Sequence, residues 1–156
     1  MLNIGFLSLD ILILLIAFGV LVFLSYKAGK KTLTALILAS YPSVLIFQYF
    51  PYVSFEPGKP EAVFFVFIYV FIYIVLNRNI SNKKVYSPFR KVIDYGLLSL
   101  SYIALVISIS SNVVPSLQNL YAFSGYIPNL INQTSFGVIL ILPTLILLLT
   151  NKSDQQ

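Results

Sequence analysis

The chain has 156 residues, 58% of them hydrophobic and only 10% charged, with a net charge of +5 and neither cysteine nor histidine. A soluble domain of this length averages about 25% charged residues and still exposes roughly a third of its surface, so an aqueous fold is excluded and the bilayer becomes the solvent. Disulfides, thiolate chemistry, the commonest metal ligand and the usual neutral-pH proton shuttle are excluded with the two missing residue types.

Five apolar runs predict an all-α, polytopic transmembrane helical bundle, one integral membrane domain over residues 1–150. The first span covers residues 4–25. It reads as a retained span, because no positive n-region or small-residue cleavage site marks a signal peptide. Lys27, Lys30 and Lys31 follow in a turn so short that spans 1 and 2 must form a tight antiparallel hairpin. Span 2 takes residues 32–50, and PYVSFEPGKP (51–60) reads as a stiff turn rich in proline.

Span 3 covers residues 61–76. Its aromatic residues surround the helix instead of forming a stripe, which suits lipid contact and packing better than a cofactor site. A basic loop, NRNISNKKVYSPFRK (77–91), carries Arg78, Lys83, Lys84, Arg90 and Lys91, with Pro88 opening the entry into span 4 at residues 92–111. Asp94 lies four residues after Arg90, on the same helix face, where a pair contributes a few tenths of a kcal/mol. The uncharged segment 112–133 mixes Leu, Tyr and Phe with Asn, Gln and Ser. It reads as an interfacial helix on the outer face around 115–123, with a re-entrant loop broken at Gly125 and Pro128 as the alternative. Span 5 covers residues 136–150 with Pro143 as a kink, and residues 151–156 form a cytoplasmic tail. Spans 3 and 5, at about 15 apolar residues, are short for a 30 Å hydrocarbon core and predict thinned lipid or help from flanking residues.

Of the ten basic residues, only Lys59 falls in the connections on one side of this threading; the other nine lie on the opposite side. Positive loops remain cytoplasmic, so the N-terminus is predicted outside and the C-terminus inside. Lys27, Lys30, Lys31, Arg78, Lys83, Lys84, Arg90 and Lys91 are then candidates for contact with anionic inner-leaflet headgroups, an explanation of the positive charge that needs no nucleic acid.

Asp10 is the most informative acidic residue. About 25 Å of helix separates it from Lys27, which places it near the outer edge of the hydrocarbon core. It reads first as a helix N-cap or interface marker, beside Asn3 and Ser8. An intramembrane ion or proton site and a structural pair with another span are the alternatives. In span 4, Ser101, Ala104, Ser108 and Ser111 recur at helical spacing, a small-residue face for close helix packing or, alternatively, a hydroxyl-lined path. No pair of carboxylates converges, so the sequence predicts no catalytic, cofactor or metal site and no enzyme.

The stretches Leu9-Asp10-Ile11, Tyr26-Lys27-Ala28-Gly29-Lys30-Lys31-Thr32-Leu33 and Ile93-Asp94-Tyr95-Gly96-Leu97-Leu98 resemble the colicin V production protein family over about residues 8–111. Lysines stand in the basic turn where that family commonly has arginines, and Ser99, Tyr102 and Ile103 replace glycines usual in its fourth span. The resemblance implies a multi-pass bacterial inner-membrane protein without enzymatic activity, an accessory factor in envelope homeostasis or toxin export. A small channel or transporter, oligomeric because five spans enclose little pore, is the alternative, with Asp10 at its centre. Partners on either reading are the bilayer and further copies of this chain or other membrane proteins.

Overall fold

A computed structural model describes residues 4–49, 59–80, 88–114, 117 and 133–152. The described chain is all-α: α1 (Ile4–Ala28), α2 (Lys30–Tyr49), α3 (Lys59–Asn79), α4 (Pro88–Asn112) and α5 (Gln133–Lys152). Four of these are long and apolar enough to cross a membrane, and α5 carries a shorter apolar stretch over Gly137–Thr150. The segment 118–132, with its interfacial and re-entrant readings, lies outside the described residues.

α3 and α5 are longer than their apolar runs, at 21 and 20 residues. Polar ends such as Asn77, Arg78 and Asn79 continue the helix, because helical bonds satisfy the backbone where lipid cannot. Each helix is then about 30 Å long; α3 reaches the length of a span, whereas the apolar part of α5, Gly137–Thr150, is as short as its sequence suggests. Glu61 in the first turn of α3 and Arg78 in its last turn both oppose the helix dipole. Pro88 opens α4, where its missing N–H is one that a helix leaves unused.

Gly29 joins α1 to α2. Its φ of 87° is left-handed, and its N–H closes on the Ser25 carbonyl at 2.8 Å, which ends α1 and reverses the chain in a single residue.

Contacts between helices fix their relative directions. Lys30 meets Thr150, and Tyr41, further along α2, meets Leu140, so α2 and α5 are antiparallel. Lys30 also meets Asp94, while Tyr41 and Leu105 line one cleft, so α2 and α4 are parallel. Leu36 meets Tyr69 and Phe47 meets Phe65, which sets α3 antiparallel to α2. Consecutive helices therefore alternate in direction, and Ser25, Lys30, Asp94 and Thr150 come to one end of the bundle.

α2 touches all four other helices, and α4 packs against α1, α2 and α5. Half of the apolar stretch of α4 is buried in the bundle, against 11% for α1 and for α3, so those two form the periphery. One core cluster joins Val44, Phe65, Leu105 and Ile109, with Leu117 packed against it; a second joins Leu33, Ile37, Leu98 and Leu147. Around the outside, Leu15, Phe67, Phe71 and Leu149 are exposed, an apolar perimeter suited to lipid. In α3 the aromatic residues divide accordingly: Phe65 is buried, whereas Phe67 and Phe71 face out.

Candidate functional site

The candidate site is the set of polar side chains that the bundle buries. At the Gly29 end, Lys30 is 5% exposed. It is the first residue of α2 and shares a helix face with Leu33 and Ile37, both in the core, so its side chain is carried inward with them. Its Nζ donates to the Thr150 carbonyl at 3.0 Å and stands 3.8 Å from Oδ2 of Asp94, itself buried on α4. Thr150 lies in the last turn of α5, where carbonyls have no intrahelical donor, so the lysine supplies both a hydrogen bond and a positive charge to the negative end of that helix. One ammonium group thus ties α2, α4 and α5 together.

This placement corrects one expectation and gives Asp94 a partner that its sequence position did not suggest. Lys30 is not a headgroup contact: it faces the bundle, because the core face of α2 begins with it. Asp94 stands opposite Lys30, from a helix 64 positions away in sequence; the side chain of Arg90, its expected partner, lies outside the described residues. Of the other basic candidates, Lys27 is exposed with its Nζ 5.0 Å over the Phe23 ring, Lys31 is half-buried, and Arg78 is exposed at the end of α3. Lys83 and Lys84, and the side chains of Arg90 and Lys91, lie outside the described residues.

Midway along the bundle, two tyrosine relays flank α2. The Tyr69 hydroxyl meets the Leu36 carbonyl at 3.2 Å and shares a 2.7 Å hydrogen bond with the Tyr102 hydroxyl. On the other side, Tyr41 donates to the Leu140 carbonyl at 2.6 Å and accepts from the Thr144 hydroxyl at 2.8 Å. Tyr41 is therefore an interior tether. Pro143 is buried between Leu140 and Thr144, so this tether holds α5 at the turn where proline interrupts its backbone ladder.

Asp10 is 2% exposed although Leu9 and Ile11 beside it are each 51% exposed. α1 already begins at Ile4, so Asp10 sits in its second turn and the N-cap reading falls. The inward face of α1 runs through Asp10, Leu14, Phe18, Leu21 and Ser25, at steps of three and four. The carboxylate belongs to that face and is engaged within the structure. Some 27 Å of helix separates it from Ala28, so it lies far from the Lys30 cluster.

The small residues of α4 divide. Ser101 and Ser108 are buried; Ala104 and Ser111 are half-buried. Ser101 donates back to the Leu98 carbonyl and Ser111 to that of Ile107, as do Ser40 to Leu36 and Ser43 to Ala39 on α2. Hydroxyls that bond their own helix present aliphatic surface to the neighbour, the packing arrangement. Ser99 and Ser108 are the exceptions, with buried oxygens that have no hydrogen-bond partner among the described residues. Two clefts of about 230 and 200 Å³ open beside Ser40 and Ile109, one toward α5 and one toward α3; their surface is almost wholly apolar, although Ser40 and tyrosines border both.

Among the described residues, no three of His, Cys, Asp or Glu group as metal ligands do. Comparison with protein-family models, with curated proteins and with solved structures gives no match.

Proposed function

We propose that this chain is a bacterial inner-membrane protein with five spans, its N-terminus outside and its C-terminus in the cytoplasm. It works there as a non-enzymatic accessory factor in envelope homeostasis or toxin export, the role that its resemblance to the colicin V production family implies. The observation carrying this reading is the Lys30–Asp94–Thr150 cluster, which spends the buried charge at one end of the bundle on joining three helices. The serine hydroxyls folded back on their own helices support it too, since they present aliphatic surface to the neighbouring helix. The exposed Lys27 and Arg78 are left to anionic headgroups on the cytoplasmic face.

The second reading is an oligomeric channel or transporter, favoured by the burial of Asp10 far from the Lys30 cluster. Ion and proton flux into liposomes holding the purified protein separates the two. The accessory reading predicts flux no greater than through empty liposomes, for the native chain and for Asp10→Asn alike. Flux that appears with the native chain and disappears with Asp10→Asn makes this a conducting or transporting protein.

A further inference from the structure

Two kinds of contact hold α5 against the bundle. Leu147 packs with Leu33, Ile37 and Leu98, while Lys30 and Tyr41 make polar contacts from α2. In lipid these are not equivalent. Peeling Leu147 away exchanges protein hydrocarbon for lipid hydrocarbon, and no hydrophobic driving force resists it. Withdrawing the Thr150 carbonyl from Lys30 leaves that carbonyl, and part of the charge on the lysine, unsatisfied where water is scarce. The polar contacts therefore add a specific restraint to the packing of α5 along α4.

One of them brackets a weak point and the other lies beyond it. The Tyr41 relay grips Leu140 and Thr144, and Lys30 grips Thr150 further along. Pro143, without an N–H, leaves the Ile139 carbonyl short of its helical donor, and helices bend at such points. Beyond it, Leu145, Leu148 and Leu149 are 53–70% exposed, so on that side the helix end meets only the surroundings of the bundle.

We infer that residues 144–152 form a hinged arm that turns at Pro143 against the Tyr41 anchor, with Lys30 as the latch holding it to α2 and α4. This rests on the bundle lying in a bilayer, and not on the accessory role. The arm is about 13 Å long, so a turn of ~20° at the proline moves its tip by about 5 Å. Release opens the Lys30 end of the bundle and leaves the other half of α5 in place.

The chain has no cysteine, so spin labels can be placed without removing native residues. In the full-length protein in lipid nanodiscs, Tyr26→Cys with Leu149→Cys reports the latch end, and Leu12→Cys with Val138→Cys reports the other half; all four positions are exposed. The double variant Lys30→Met/Asp94→Asn removes the latch and leaves no lone charge. It should broaden or shift the first distance distribution by about 5 Å and leave the second unchanged. Adding Pro143→Ala should return the first distribution to its native form. An unchanged first pair, movement of both pairs together, or no recovery with Pro143→Ala overturns the hinged arm. The second of these outcomes identifies a bundle that has loosened throughout.

Discussion

Replacing Asp94 by asparagine isolates the charge opposite Lys30 while keeping the shape of the side chain. Unit charges 3.8 Å apart attract by about 4 kcal/mol at an effective dielectric near 20. Removing one member of a buried pair typically costs about 3–5 kcal/mol, because the other charge is left behind. Two features reduce that figure here. Lys30 keeps its bond to the Thr150 carbonyl, and a lysine at a helix end can extend its ammonium toward the interface. We therefore expect Asp94→Asn to lose about 2–3 kcal/mol, some 30- to 150-fold in the folding equilibrium. Adding Lys30→Met removes the stranded cation and should bring stability back to within about 1 kcal/mol of the native chain. Equilibrium unfolding in mixed micelles, followed by circular dichroism, reads both values. A loss below about 0.5 kcal/mol for Asp94→Asn, or a double variant no more stable than the single, would refute the interlock.

Tyr69→Phe removes two hydroxyl contacts inside the bundle and should cost about 1 kcal/mol in the same assay, within the range measured for hydrogen bonds between membrane helices. Tyr69→Phe/Tyr102→Phe should then cost little more than the single change, since both act on one relay; additive losses would show that the hydroxyls act separately. Gly29→Ala places a Cβ at a φ of 87° and should destabilise the hairpin by about 1–2 kcal/mol; an unchanged midpoint would mean that the turn relaxes without strain. Asp10→Asn should insert and fold normally, because the neutral isostere is easier to hold in lipid, and loss of the folded bundle would make Asp10 a structural partner instead.

The helices were legible in the sequence because lipid demands long apolar runs, and the tight hairpin was legible from the short connection between the first two of them. Helix ends were less so: Asn77–Asn79 look like loop by composition, yet they continue α3. Lys30 is the instructive case. Its steps of three and seven to Leu33 and Ile37 marked it as facing the core, a signal that the clustering with Lys27 and Lys31 masked. Its partners, Asp94 and the Thr150 carbonyl, lie 64 and 120 positions away, and no local pattern encodes such a meeting. The i, i+4 spacing of Arg90 and Asp94 is a local pattern and speaks only of contacts within α4. The tyrosine contacts are of the same kind as those of Lys30: Tyr41, Tyr69 and Tyr102 each find a hydroxyl or carbonyl partner inside the bundle on a helix distant in sequence, which no local spacing encodes.

The central claim is a five-span threading with the Lys30 end in the cytoplasm. Single cysteines introduced as Ser54→Cys and Ser81→Cys into this cysteine-free chain, and exposed to a membrane-impermeant thiol reagent, test it directly. The threading predicts that position 54 labels on intact cells and that position 81 labels only after the membrane is permeabilised. Labelling of position 81 from outside intact cells would contradict it, and would place the lysine-rich connections on the wrong side of the membrane.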